Sequence, residues 1–212
     1  MEILEIAKLI TIFLFAYLIG SIPFGLVLTK SFYSGEDIRK NGSGNIGATN
    51  VGRVAGKTLG IFTLTGDMLK GVVPVYIAVN ISGLSGYNHY IFISMVALAA
   101  FSGHLYPIFL KFKDGGKGVA TAAGCFMVLC PKALLTALIV FIIVVCLSRR
   151  VSAGSLSGAL VLPIAVYIFS RSFTVTGCAL VITVLIIIRH KDNIERLIAG
   201  TEPAAWKKGG VN

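Results

Sequence analysis

An all-α integral membrane protein is the fold class the sequence predicts, and three observations carry that reading. The 212 residues are 56% hydrophobic, with a mean hydropathy of +0.87. Only 13% are charged, against roughly 25% in soluble domains. Apolar runs follow one another along most of the chain. A soluble globular enzyme, a disordered tail and a nucleic-acid-binding module are thereby excluded. The formal net charge of +10 has to be read by position, because basic residues in membrane proteins report orientation and headgroup contact first.

The first apolar run spans Ile3 to Leu28. Its start carries Glu2, Glu5 and Lys8, where a signal peptide needs a purely basic head, so it reads as an uncleaved helix. Further runs cover Thr58 to Ile81, Tyr90 to Leu110, Val119 to Leu129, Ala133 to Leu147, Ser155 to Phe169 and Phe173 to Ile188, making seven candidate spans. The later runs are shorter than the roughly 20 residues a membrane-crossing helix needs. Their ends must draw in small polar residues such as Ser152 and Thr174, or the bilayer must thin locally.

Val119 to Leu147 could instead form one long helix kinked at Pro131. The distribution of basic residues decides against it. With seven spans, one side collects Lys30, Arg39, Lys40, Arg53 and Lys57, then Lys111, Lys113 and Lys117, then Arg149 and Arg150, then Arg189, Lys191, Arg196, Lys207 and Lys208. The other side holds Lys8, Lys132 and Arg171, and Lys70 lies within a span. Six spans would split the charge almost evenly and destroy the asymmetry of the positive-inside rule. The expectation is therefore one domain over residues 1–212, with seven transmembrane helices, the amino end outside and the carboxyl end in the cytoplasm. The four cysteines, Cys125, Cys130, Cys146 and Cys178, fall inside apolar segments and read as small core residues, with no metal-site spacing.

Three segments on the basic side are not ordinary connectors. Residues 39–53 are rich in Gly, Ser, Asn and Thr. Glycines there let backbone N–H groups approach an anion, Ser43, Asn45, Thr49 and Asn50 add side-chain donors, and Arg53 adds a bidentate fork. Gly42 to Gly47 satisfies G-x-G-x-x-G but lacks the strand and helix of a dinucleotide site, and Gly56-Lys57-Thr58 lacks the first glycine of a phosphate-binding P-loop. The second segment places Gly115, Gly116 and Gly118 around Lys117 and opens directly into the Val119 helix, so that ammonium, N–H groups and helix dipole converge. In the third, a continuous helix would align Arg189, Asn193 and Arg196 on one face. His190 and Glu195 have His-x4-acid spacing but do not serve as a His-x4-Asp pair, since the acid is Glu and on a helix the two lie about 140° apart. Inside the membrane, Asp67 and Lys70 share a helical face and read as a self-neutralising ion pair that locks packing. His104, just before the second loop, reads as a packing residue on the substrate side.

Gly20-Ser21-Ile22-Pro23-Phe24-Gly25, Gly42-Ser43-Gly44-Asn45-Ile46-Gly47-Ala48-Thr49-Asn50, Gly103-His104-Leu105-Tyr106-Pro107, Gly115-Gly116-Lys117-Gly118-Val119-Ala120-Thr121 and Arg189-His190-Lys191-Asp192-Asn193-Ile194 together make the chain similar to the bacterial acyl-phosphate-dependent glycerol-3-phosphate acyltransferases, the PlsY family. The resemblance covers about residues 3–202. It implies a seven-helix inner-membrane enzyme with its active site on the cytoplasmic side. Such an enzyme moves a fatty acyl group from acyl phosphate to the 1-hydroxyl of glycerol 3-phosphate, yielding lysophosphatidic acid and phosphate, the first step of bacterial phospholipid synthesis. It implies no cofactor and no metal, and as partners acyl phosphate, glycerol 3-phosphate, membrane lipids and a peripheral acyl-phosphate synthase, with no nucleic acid. The catalytic set expected is Ser43, Arg53, Lys117, His190 and Asn193. Asn45, Thr49, Asn50, His104, Gly115, Gly116, Gly118, Arg189 and Arg196 are expected at the substrates, and Glu202 as a structural partner for a nearby cation. Asp114 departs from the family pattern by standing directly before the glycines, and Lys117 is a firmer phosphate ligand than Lys113. Residues 203–212, with Trp206, Lys207 and Lys208, lie outside the resemblance and read as an interfacial tail. A transporter of organic phosphates is the competing class, although such proteins place the site near the midplane between related halves, and no repeat is visible. A passive scaffold would leave the three polar loops unexplained.

Overall fold

The structure, a computed structural model, describes residues 2–33, 35 and 37–205; Trp206, Lys207 and Lys208 of the expected tail lie outside them. The helices run in the order α1 (Ile3–Gly20), α2 (Phe24–Phe32), α3 (Ala48–Val54), α4 (Lys57–Ile81), α5 (Gly86–Leu105), α6 (Val119–Leu129), α7 (Pro131–Ser148), α8 (Val151–Ser170), α9 (Phe173–Arg189) and α10 (Lys191–Ile198). Single 3-10 turns occupy Ile38–Lys40 and Ile108–Leu110.

By length and apolarity five of these helices suffice to cross a membrane, six if α9 and α10, bent by 61° at their junction, count together. The chain breaks where the local chemistry demands it. The first apolar run is not one helix, because Pro23 has no N–H to donate and restricts Ile22, so the chain leaves α1 at Ser21 and restarts at Phe24. Pro131 is equally decisive. It opens α7 at the first helical position, which a proline tolerates, and separates α7 from α6 at Cys130. That leaves α6 only 11 residues, or about 17 Å at 1.5 Å per residue, roughly half the hydrocarbon thickness. Arg149 and Arg171 end α7 and α8 in the left-handed conformation, and the Ser172 hydroxyl caps α9 by accepting from the Val175 N–H at 3.4 Å.

Lipid gives no hydrophobic drive between helices, so close approach through small residues does the packing. Gly20 and Gly103 set α1 against α5, where a Cβ on either would overlap the partner's backbone. Gly71 and Gly124 do the same between α4 and α6. The core between α1, α4, α5, α6, α8 and α9 is filled by Ala16, Val75, Ala100, Phe101, Phe126, Val166 and Ile182. Outward-facing Ile61, Phe62, Ile139, Ile164 and Val184 are exposed, as lipid-facing positions are. A smaller cluster of Leu26, Ile38, Ile46 and Val51 seats the 38–54 segment on α2.

Candidate active site

All three polar segments meet at one end of the helical domain, around a cavity of about 570 Å³. Its polar end is lined by Ser43, Asn45, Thr49, Arg53, Lys117, His190, Asn193 and Arg196. Its other wall is apolar, built from Leu64 and Met68 of α4, Ala123 of α6, and Leu138 and Phe141 of α7. Leu64 and Leu138 are 43% and 39% exposed on the outer face of the domain, so this wall continues to the surface that faces lipid. A second cavity of about 410 Å³ shares Ser43, Asn45, Lys117, Asn193 and Arg196 with the first and extends past Arg189, Lys191 and Asp192.

The 38–54 segment folds around Asn50. This buried side chain accepts from the Ser43 N–H at 2.8 Å and donates to the carbonyls of Asn45 and Asn41 at 2.9 and 3.1 Å. Asn50 thus spends its capacity inside the loop and shapes it. Asn45 accepts from the Gly47 N–H at 2.8 Å. Gly42 and Gly44 take the left-handed turns that the tight path requires, at φ 64° and 70°. The consequence is that Ser43, Thr49 and Arg53 face outward, exposed at the cavity.

The second segment is built against α5. The Gly116 N–H donates to the His104 carbonyl at 3.2 Å, and a Cβ on Gly116 would overlap the His104 imidazole. Arg189, arriving at the end of α9, donates from Nη2 to the Gly115 carbonyl at 2.6 Å and from Nε to the Gly116 carbonyl at 3.2 Å. The loop's peptide groups are thereby turned toward their neighbours. Lys117 and the N-terminus of α6, where Gly118, Val119 and Ala120 line the cavity, face the open space.

The third segment departs from the expected continuous stripe. A helix unbroken through His190 would align Arg189 with Asn193 and Arg196, but the 61° bend separates them. Arg189 serves the glycine loop, while Asn193 and Arg196 of α10 enter a buried network. Lys117 Nζ donates to Asn193 Oδ1. Asn193 Nδ2 donates to Glu202 Oε1 at 2.6 Å, Ser152 Oγ donates to the same oxygen at 2.6 Å, and Arg196 Nε donates to Glu202 Oε2 at 2.8 Å. Ser152, read from the sequence only as a span end, is the residue the motifs missed, because nothing local ties it to a carboxylate 50 residues away.

The electrostatics follow from burial. Burial pulls Lys117 below the ordinary ammonium range, and Glu202 nearby offsets this only in part. Burial pushes the Glu202 carboxyl up, but hydrogen bonds from Ser152, Asn193 and Arg196 outweigh it and hold it below the usual carboxylate value. His190, just past the end of α9, is 3% exposed, and burial pushes it down to about 4. Its Nδ1 lies 2.8 Å from the Ile186 carbonyl, an acceptor, so Nδ1 carries the proton and Nε2 is left as an acceptor. The arrangement can hold anionic groups at its cationic end, present an acceptor to a hydroxyl, and shelter an apolar chain along its wall. No cluster of three or more metal-ligating side chains occurs among the described residues.

Residues 10–200 match the family model described as glycerol-3-phosphate acyltransferase. The glycerol-3-phosphate acyltransferases of Syntrophotalea carbinolica and Geobacter sulfurreducens are 51% and 49% identical to the chain over 187 residues, covering 88% of it and 92% of each relative. Two crystal structures of the integral membrane glycerol 3-phosphate acyltransferase PlsY are also similar, each at 38% identity over 93% of this chain and 95% of that one. Its glycerol 3-phosphate form superposes with a TM-score of 0.86 and its lysophosphatidic acid form with 0.83. With a family model matched over residues 10–200, relatives about half identical over most of the chain and the same helical fold in the solved structures, the chain belongs to the PlsY family of glycerol-3-phosphate acyltransferases.

Proposed function

We propose that the protein transfers a fatty acyl group from acyl phosphate to the 1-hydroxyl of glycerol 3-phosphate, releasing lysophosphatidic acid and inorganic phosphate. The observation that carries this reading is the single cavity with a cationic end at Arg53, Lys117 and Arg196 and an apolar wall reaching the lipid-facing surface at Leu64 and Leu138. One substrate needs both features, and the second, a soluble dianion, fits the polar cavity that shares the cationic end. The ligands named for the two crystal structures, glycerol 3-phosphate and lysophosphatidic acid, are the acceptor and product of the same reaction.

In this reading Ser43, Asn45, Thr49 and Arg53 hold the acyl phosphate, with Asn50 shaping their loop. Lys117 and the start of α6 at Gly118 hold the phosphate of the acceptor on the turn that Gly115, Gly116, His104 and Arg189 build. Arg53 bridges the two phosphates, and Arg196 adds charge at the shared end. His190 and Asn193 orient the glycerol hydroxyls, His190 Nε2 accepting from the 2-hydroxyl so that the proton of the attacking 1-hydroxyl stays free for phosphate, and Asn193 also aims Lys117. The hydroxyl oxygen attacks the acyl carbonyl carbon, forming the ester C–O bond. The C–O bond to phosphate breaks, phosphate leaves with the electron pair, and a phosphate oxygen takes the hydroxyl proton. Acyl phosphate is a mixed anhydride with a good leaving group, so positioning and charge neutralisation supply most of the catalysis.

The charge distribution supports a placement in the bacterial inner membrane with α1 and α4 to α9 as seven membrane helices, the amino end outside and this site on the cytoplasmic face. A peripheral acyl-phosphate synthase would then deliver the donor to that face. The test is turnover by purified protein in detergent or lipid. Long-chain acyl phosphate with glycerol 3-phosphate should yield lysophosphatidic acid, and acyl-coenzyme A little or none; equal rates with both donors would overturn the donor assignment.

A further inference from the structure

Asp67 and Lys70 lie on α4, each 3% exposed, and belong to none of the three polar segments. Asp67 Oδ1 meets Lys70 Nζ at 2.8 Å and faces His104 Nδ1 at 3.6 Å. One partner reaches a polar segment directly, and the other reaches the break before α2, against whose Gly25 and Leu26 the residue Ile46 packs. Lys70 donates onward to the Ile22 carbonyl at 3.0 Å, at the break from which α2 sets out toward residues 38–54. His104 stands beneath the second segment: its carbonyl accepts from the Gly116 N–H at 3.2 Å, and its ring fills the space a Cβ on Gly116 would need. His104 Nδ1 makes no hydrogen bond among the described residues, and the Asp67 carboxylate is the charge it faces. A pair that only neutralised itself would need neither outward contact.

We propose that Asp67 is a positioning residue for acyl transfer: through Lys70 and His104 it holds the 38–54 and 111–118 segments at a set separation, and with them the two anion-binding groups. Asp67 accepts from Lys70 and faces the His104 ring at 3.6 Å, beyond hydrogen-bond length but within reach of its charge. Removing the carboxylate would leave the buried Lys70 ammonium uncompensated and the His104 ring without the charge it faces. Asp67 therefore links two loops that make no use of it in their own sequence. The kinetic part of this inference rests on the acyl transfer proposed above; the structural part does not.

The test combines hydrogen exchange and steady-state kinetics on the full-length protein in detergent. Asp67→Asn should speed exchange in both 38–54 and 111–118, whereas His104→Ala should speed it in 111–118 alone. His104→Asn, which restores an N–H near the position of Nδ1, should return exchange there to within about twofold of wild type. With acyl phosphate saturating, His104→Ala should raise KM for glycerol 3-phosphate on the order of tenfold while kcat falls less than about threefold, and His104→Asn should recover most of that loss. Wild-type exchange in both segments of Asp67→Asn and His104→Ala overturns the proposal, and so does a KM equal in all three variants. If Asp67→Asn does not accumulate as folded protein, wild-type exchange and KM in His104→Ala alone are enough to overturn it. A wild-type protein that turns over no acyl phosphate refutes the functional reading instead, and the exchange pattern still decides the positioning role.

Discussion

Arg39 Nη1 meets Asp114 Oδ2 at 3.0 Å, joining the first and second polar segments across 75 residues. Arg39 is itself oriented by Asp37, whose carboxyl it holds down at about 2 through their side-chain hydrogen bond. Asp114 follows Lys111 and Phe112, and all three take the left-handed conformation that ordinary residues avoid, with φ of 53°, 55° and 63°. Asp114 is thus the tether that holds a strained turn against the neighbouring loop.

Because this pair is partly exposed, with side chains 34% and 56% accessible, its contribution is modest, about 0 to 1 kcal/mol. Asp114→Asn should raise KM for glycerol 3-phosphate by up to about fivefold at low ionic strength. At about 1 M salt, where screening acts within roughly 3 Å, variant and wild type should converge. A difference that persists at high salt would assign Asp114 another role.

Lys117 carries the largest expected effect. Its ammonium is withdrawn from water and aimed by Asn193, so Lys117→Ala should lose about 2 to 5 kcal/mol of transition-state stabilisation. The variant should still insert and fold, because the Lys117 side chain faces the cavity while backbone contacts to α5 and Arg189 hold its loop. Asn193→Ala combined with Lys117→Ala should cost less than the sum of the single losses, since the two act as one unit. Kinetics of the three variants, with size-exclusion profiles as the folding control, check this.

His190 gives a pH signature. Its folded value of about 4 lies below its ordinary 6.5, so between those pH values the unfolded chain takes up a proton that the native protein does not. Stability should therefore fall as pH drops from about 6.5 to about 4, and His190→Asn should flatten that slope. For activity, the imidazole stays neutral from about pH 5 to 9. His190→Ala should lower turnover through poor alignment without changing the shape of the rate profile in that range. Loss of an acid limb present in wild type would make His190 the general base.

Glu202 ties the chain beyond α10 to α8 and α10. Removing its buried carboxylate strands Arg196, Asn193 and Ser152, so Glu202→Ala should cost about 2 to 4 kcal/mol. That corresponds to a melting temperature lower by about 5 to 15 °C for a chain of this size; Glu202→Gln should lose less. Its folded pKa is held below the ordinary value, so this stabilisation is present above about pH 4.5 and disappears on further acidification. Thermal unfolding at pH 7 and pH 4 measures both effects.

Hydropathy, the asymmetry of the basic residues and the Gly/Asn/Lys-rich segments are local properties, and together they specify an all-helical membrane protein with three polar segments suited to anions. They also separate the Val119 and Ala133 runs at Pro131, whose missing N–H acts within one turn. Packing adds that Ile3 to Leu28 is two helices whose break is capped by Lys70, 48 residues on. It also decided that the bend at His190 sends Arg189 to the glycine loop and Asn193 to Lys117, 74 and 76 residues away. It turned Asn50 from an outward donor into the centre of its loop, gave Asp114 its partner, and brought Ser152 to Glu202. The reason is physical: periodicity and propensity encode which face of a helix is apolar, but a buried polar group is satisfied by whichever donor the packed helices carry to it, and the chain records that pairing at neither end.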